Sequence, residues 1–179
     1  LSVYCVYMNP KYELFLALAN QTLDTATHLL DKAQAFVTEK GIHEHELIQA
    51  ALAPDMFNFT KQIQLISDSA KGYTARLTGK EVVSMPDTES SISELRERIT
   101  KTKELLKTFS ATDFNDADNA KISFAWMAGK HFKGSEFVEK FAIANMFFHV
   151  SMAYAILRNQ GVAIGKMDFV GQTPMYTNE

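Results

Sequence analysis

Apolar positions recur every three or four residues through most of the chain, the signature of amphipathic helices. Leu16, Ala19, Leu23, Ala26, Leu30, Ala33 and Val37 set a first helix, with Gly41 placed to end it as a C-cap. A short helix over His45–Leu52 follows, stopped by Pro54. A second long helix is expected to open near Pro54-Asp55, where proline suits the first turn and aspartate the N-terminal dipole. Its stripe is Met56, Phe59, Ile63, Ile66, Ala70 and Leu77. Gly79 and Ser84-Met85-Pro86 read as a linker. Ser91-Ile-Ser-Glu94 then reads as a capping box for a third helix, whose core positions are Ile92, Leu95, Ile99, Thr102, Leu106 and Phe109.

The pattern breaks at 110–134. Asp113, Asn115, Asp116, Asp118 and Asn119 mark loop, and the alternation of Ile122, Phe124 and Trp126 predicts a strand. Ala128-Gly129-Lys130 turns it back through His131-Phe132-Lys133. Gly134-Ser135 caps a fourth long helix that runs to about Gln160 and ends at Gly161. The tail from Val162 to Glu179 carries Ile164, Phe169 and Val170 and is expected to pack on the bundle. Four long helices predict an all-α, four-helix-bundle fold in one domain spanning 1–179, with a small β-hairpin or irregular insertion before the last helix.

The fourth helix holds the most informative polar residues. At about 100° per residue, Asn145 falls near the middle of an apolar arc shared with Val138, Phe141, Met152 and Ile156, and His149 lies one turn on. A buried polar group without a partner costs roughly 1–3 kcal/mol, so the pair must be answered by a side chain, a water, a metal or a ligand. Gln62, at the edge of the second helix's stripe beside Phe59, Ile66 and Tyr73, meets the pair if the two helices pack face to face. Trp126, with Phe124, Phe132 and Tyr73, lines an aromatic pocket mouth or simply covers one end of the bundle. Ile143, Phe147, Val150 and Tyr154 lie on the other side of the same helix. That helix is therefore a central buried one or the interface of a symmetric homodimer.

Composition narrows the function. The chain is 46% hydrophobic and 22% charged with a net charge of −3, which fits a soluble globular protein and does not favour nucleic acid, and its lone cysteine is compatible with the expected cytoplasmic setting. No stretch reaches 18 uncharged apolar residues, so no membrane span is expected. The opening run Leu1–Met8 lacks a basic leader and does not read as a signal peptide. The single cysteine, Cys5, excludes an internal disulfide and reads as inert. Gly161-Val-Ala-Ile-Gly165-Lys166 is one residue short of a phosphate loop and follows a helix rather than a strand. No nucleophile elbow is present. His28, between Asp24 and Asp31, reads as a surface charge cluster. His43 and His45, beside Glu44 and Glu46, read as solvated loop, and His131 as exposed hairpin.

The strings Ala53-Pro-Asp-Met-Phe57, Gln62-Ile-Gln64, Asp68-Ser-Ala-Lys71, Asn145-Met-Phe-Phe-His149 and Ala155-Ile-Leu-Arg158 resemble a bacterial family of unknown function. That family lies within the DinB/YfiT-like superfamily of metalloenzymes. The resemblance extends to the closing Gly165-Lys166-Met-Asp168-Phe-Val-Gly171. It implies a four-helix bundle, often dimeric. In metal-binding superfamily members, three histidines hold the ion, one from the second helix and two near the fourth, and some members are thiol-dependent S-transferases. Here the second helix has no histidine, with Gln62 or Gln64 in its place, and Ala153 stands one turn after His149.

Three readings follow. The first is a DinB-like bundle that binds a small molecule at Gln62, Asn145 and His149, with Phe59, Tyr73 and Trp126 around them and a neutral His149 as acceptor or base. The second is a metal-assisted thiol S-transferase or hydrolase, with His149 as the catalytic or metal-holding residue and zinc or nickel as the ion. Catalytic zinc wants three protein ligands plus water. Asp55 or Asp68 would have to add oxygen, yet Asp68 is expected to project away from the second helix's apolar face. The third is a dimeric scaffold whose polar core is structural. No cofactor is expected on the first or third reading.

Overall fold

Side-chain caps, rather than proline alone, set the helix boundaries in the computed structural model, which describes residues 8–171. Cys5, residues 1–7 of the opening run and the tail beyond 171 lie outside the described residues. Helix α1 (Pro10–Lys40) starts where the Asn9 side chain accepts the Lys11 N–H, and ends at Gly41 in the left-handed conformation at φ 63°. Helix α2 (Glu44–Ile48) is shorter than His45–Leu52. It is capped by the His43 ring, whose Nδ1 accepts the His45 N–H. Helix α3 (Phe59–Thr78) begins four residues later than Asp55, because the Asn58 side chain accepts the Lys61 N–H at 2.9 Å. Residues 53–56 instead close a turn through the Met56 N–H and the Ala53 carbonyl, at 3.0 Å.

Helix α4 (Ile92–Leu106) opens at Ser91, whose hydroxyl accepts the Glu94 N–H at 3.1 Å. The capping box is displaced by one residue. The Glu94 carboxylate returns to the Ser90 N–H at 2.6 Å rather than to that of Ser91. The loop after α4 carries two short 3-10 turns, at Ala111–Phe114 and Ala117–Asn119. The expected hairpin then forms, but with short strands. Strand β1 (Lys121–Ile122) pairs antiparallel with β2 (Phe132–Lys133), Lys121 opposite Lys133 and Ile122 opposite Phe132. Phe124 and Trp126 leave the ladder because Ala125–Met127 coil into a 3-10 turn, followed by Ala128 and Gly129 at φ 49° and 83°.

The fourth long helix comes in pieces. Helix α5 (Gly134–Phe137) runs into a π turn at Val138–Ala142 and then into α6 (Ile143–Asn159). In the π turn the Ile143 N–H reaches back five residues to the Val138 carbonyl. The N-cap is Lys133, not Gly134. A short α7 (Lys166–Val170) folds back onto α1, with the Thr25 hydroxyl donating to the Phe169 carbonyl at 3.0 Å.

Around the bundle the neighbours run α1, α4, α3, α6, and the most extensive pairing is α3 with α6. Phe15, Leu23, Leu30, Phe59, Ile63, Ile66, Leu95 and Leu157 are fully buried at its centre. Each contributes on the order of 1.5–3 kcal/mol through burial. The helix from Gly134 to Asn159 has an 18-residue window of mean hydropathy 1.3. By length and composition alone it is long and apolar enough to cross a membrane, a test that the core helix of a globular bundle also passes. Its apolarity has a local cause, since α6 packs on both α1 and α3. Only 39% of that window is buried, and Phe148 stays 52% exposed.

Gly134 lets the fourth helix start against the preceding loop. A Cβ there would sit 1.8 Å from the Ala117 carbonyl oxygen, and the Gly134 N–H donates to the Ala120 carbonyl at 2.8 Å. The obstacle is backbone, so Gly134→Ala is expected to destabilise the fold by about 1–3 kcal/mol or more. Gly165→Ala, where nothing lies within 4 Å of the added carbon, should stay within about 0.5 kcal/mol of wild type. Urea unfolding of the two variants checks the contrast.

Candidate functional site

Residues 62, 69, 73 and 76 follow one another at helical spacing and form one stripe along α3. Gln62, Ser69 and Tyr73 of that stripe meet Asn145 and His149 of α6. The His149 Nδ1 lies 2.9 Å from the Gln62 Oε1, and the Gln62 amide nitrogen donates to the Phe57 carbonyl at 3.4 Å. An amide oxygen only accepts, so the proton sits on Nδ1. The Nε2 of His149 therefore carries a free lone pair. Among the described residues it has no partner, yet it is not one of the sealed, unpartnered atoms, so it opens onto the cleft that His149 lines. One turn earlier, the Asn145 amide nitrogen donates to the Tyr73 hydroxyl at 2.7 Å and to the Ser69 hydroxyl at 3.3 Å. Its amide oxygen is left as an acceptor.

These groups line a cleft of about 600 Å³ between α3, α6, the α3–α4 linker and the hairpin. Phe57, Leu65, Val82, Val83, Met85, Phe124, Trp126 and Phe141 supply its apolar wall, and Asp68, Lys71 and Arg76 its charges. Phe124 stacks on Trp126 with planes 7° apart, and the Arg76 guanidinium lies 4.8 Å from the centre of the Phe124 ring.

The linker wall is held from behind by Arg98 of α4. Its side chain, only 1% exposed, contacts Asp68 at 2.8 Å, Glu89 at 2.9 Å and Asp87 at 3.0 Å, and donates to the Pro86 carbonyl at 3.0 Å. Burial disfavours its charge, but Glu89 and Asp68 outweigh burial and hold the guanidinium above its ordinary range. The Nε of Arg98 is left without a partner. Asp68 also takes the buried Lys71 ammonium at 2.8 Å. Contrary to the sequence reading, Asp68 thus faces the cleft, and both of its cationic partners neutralise it.

Residues 12–170 match a family described as Domain of unknown function (DUF1993). A crystal structure at 1.83 Å of a DinB family member protein from Shewanella denitrificans superposes with a TM-score of 0.87. It is 35% identical, over 94% of this chain and 97% of that one. The chain belongs to this DinB-like family of unknown function. Comparison with curated proteins gave no match.

In this DinB-like bundle the residues singled out in the sequence do not all reach the cleft. Asn145, His149, Tyr73 and Trp126 line it. Gln62 stands behind His149, 2% exposed, and touches the cleft only through that ring. Phe59 is fully buried in the core and does not line the cleft, because the α3 stripe containing it points to the bundle centre. Sequence reasoning missed Ser69 and Arg76 as cleft residues, although their spacing from Gln62 and Tyr73 was the available signal. Val82, Val83 and Met85 gave none, since a linker carries no periodicity.

The other histidines lie apart. His28 does not pair with Asp24 or Asp31. Its Nε2 meets Asp168 of α7 at 2.7 Å, while Asp31 meets Arg96 and Asp24 meets Lys103. Together with the Gly165 N–H and Lys32, this holds the Asp168 carboxyl down at about 2.

The donor set of this DinB-like site does not fit a three-ligand zinc or nickel centre. It offers one imidazole whose Nδ1 is spent on a neutral amide, and a carboxylate already neutralised by Lys71 and Arg98. Among the described residues no group of three or more His, Cys, Asp or Glu side chains could hold an ion.

Burial pushes the His149 imidazole below its ordinary 6.5. The unfolded chain then binds more protons than the folded one below pH 6.5. Stability is full above that pH and is lost as pH falls toward the folded value, with a slope of at most about 1.4 kcal/mol per pH unit. Urea unfolding across this range should show the loss, and His149→Phe should remove its share of it. At pH 7.5, His149→Phe and Gln62→Leu are each expected to cost about 1–3 kcal/mol, since either leaves a buried polar partner unpaired. The double variant should cost less than their sum by about 0.5–3 kcal/mol.

Proposed function

We propose that this bundle is a small-molecule binding protein whose ligand lies in the cleft between α3, α6 and the linker. The observation that carries the reading is the free Nε2 lone pair of a neutral His149, held toward the cleft by Gln62. Beside it stand the Asn145 amide oxygen and the Tyr73 hydroxyl, whose ionisation burial pushes up and so keeps neutral. A few convergent polar groups on an apolar wall are what small-molecule sites provide. The matching ligand has an apolar or aromatic body and an O–H or N–H group to donate to His149. A glutamine partner orients an imidazole without stabilising its cation, so His149 serves here as a hydrogen-bond acceptor rather than a strong base.

Metal-assisted thiol transfer is the less supported reading, because the second-helix position offers an amide oxygen already committed to His149. A stoichiometric divalent ion in purified protein would restore it.

The outer face of α6 favours a homodimer. Phe148, beside His149, and Phe57, which lines the same cleft, are 52% and 57% exposed and offer apolar surface for a partner to cover. A second copy of the same face is the occupant we infer. Scattering at micromolar concentration is expected to return twice 20.1 kDa, and Phe148→Asp to halve it. A 20.1 kDa particle for the wild type would remove the dimer.

The ligand reading is tested by fragment screening with saturation-transfer NMR. Fragments that bind wild type should lose most of their affinity for Asn145→Leu, checked as folded by circular dichroism, and keep it for Phe148→Ser. Equal binding to Asn145→Leu would place the fragments elsewhere and sink the reading.

A further inference from the structure

Behind the Phe124 ring, away from the linker, a second depression of about 500 Å³ is bounded by α3 and the hairpin. Arg76, Lys121, Lys130 and His131 line it, with Ser123 and the backbone of Gly129 between them. It contains no carboxylate, in a chain of net charge −3. Most lysines and arginines of the protein are in ion pairs, yet among the described residues Arg76, Lys121 and Lys130 are in none. A concave site lined by one sign of charge focuses its potential and concentrates the opposite ion.

The register of the hairpin supplies an independent observation. Lys121 and Lys133 are direct cross-strand partners. Like charges placed directly opposite one another are destabilising, and this hairpin has only two residues in each strand to offset the repulsion. An anion bound beside Lys121 relieves it.

Arg76 and Phe124 line both depressions. Lying 4.8 Å from the centre of the Phe124 ring, the guanidinium sits at the boundary between the apolar cleft and the basic one. One of its nitrogens donates to the Gly72 carbonyl at 3.0 Å, which leaves its other N–H groups for a ligand.

We propose that the ligand of this protein is an organic anion, with its carboxylate or phosphate held by Arg76, Lys121 and Lys130 and its apolar body in the cleft beside Phe124 and Asn145. The proposal rests on the reading of that cleft as a small-molecule site and adds the ligand's charge class. Carboxylate and phosphate share the chemistry that Arg and Lys recognise.

Two fluorescent probes with the same ring system test it, 8-anilinonaphthalene-1-sulfonate and the neutral N-phenyl-1-naphthylamine. Binding is read by energy transfer from Trp126, the single tryptophan of the chain. At low ionic strength the sulfonate should bind at least about tenfold more tightly than the neutral probe. That preference should disappear in about 0.5 M salt, where the Debye length falls to a few ångströms. It should also disappear in Lys121→Ala/Lys130→Ala, two exposed positions whose replacement leaves the fold intact by circular dichroism. Neutral-probe binding should be unchanged in that variant.

Displacement of the sulfonate by phenyl phosphate or 3-phenylpropionate, but not by 3-phenylpropanol, supports the anion class. The stronger of the two acids identifies the natural group as phosphate or carboxylate. Equal affinity of the two probes for wild type, or a preference that survives in the double variant, overturns the anion class and leaves the cleft reading standing. Failure of both probes to bind overturns the two together.

Discussion

The seam between α3 and α6 is the constraint on which the rest of the structure depends. It is the most extensive helix contact in the bundle, yet it runs through a glutamine, a histidine, an asparagine, a serine and a tyrosine. A seam of this kind is stable only if each donor finds an acceptor, since one unanswered buried polar atom costs as much as a buried side chain gains. Here the pairs Gln62–His149 and Asn145–Tyr73 close it at two levels, one helical turn apart on α6. Two hydrogen-bonded levels also fix the axial register of the helices more sharply than leucines do, because a hydrogen bond fails within an ångström of sliding. The π turn just before Ile143 belongs to the same constraint. It adds one residue to a turn and so resets the phase with which everything after it, Asn145 and His149 included, faces α3.

The cleft is a consequence of that seam meeting a linker that is not free to move. A linker of a dozen irregular residues would ordinarily be mobile, and a wall made of it would have no fixed shape. Arg98 removes that freedom by gathering Asp68 from α3 and Asp87 and Glu89 from the linker around one buried guanidinium. A planar fork reaches several oxygens at once, which an ammonium on a flexible stem does not. The cost is visible in the same group, whose Nε stays buried without a partner. Three carboxylates and the carbonyls of Met85 and Pro86 offset it.

The sequence was legible wherever the signal was periodic. The helices, the bundle, the hairpin and the position of Asn145 and His149 all follow from spacing, and so does the meeting with Gln62, since two helices that bury their stripes must face each other. It was illegible where a single side chain or an aperiodic segment decides. The start of α3 was misplaced because Asn58, rather than Pro54-Asp55, caps it. Phe124 and Trp126 alternate like a strand but coil into a 3-10 turn that stacks them on each other. Phe59 was assigned to the site because it neighbours Gln62 in sequence, whereas adjacent stripes on one helix look into different spaces. Arg98 reads as one more surface cation on a charged helix, and nothing in its spacing shows that three acids converge on it.

Gln62 decides what kind of chemistry the cleft can hold. A histidine at that position would present a lone pair and invite a cation shared with His149. A carboxylate there would accept the Nδ1 proton and also stabilise the imidazolium, raising the ring's basicity. The amide does neither. It accepts one hydrogen bond, carries no charge, and spends its own N–H on the Phe57 carbonyl, which ties the segment before α3 to the site. Burial then acts unopposed on His149 and keeps it neutral. On the proposed binding reading, the neutral acceptor in the cleft and the cations of the adjoining depression would suit an occupant that donates a hydrogen bond at one end and carries negative charge at the other. Such a polarity would favour binding in one orientation over its reverse.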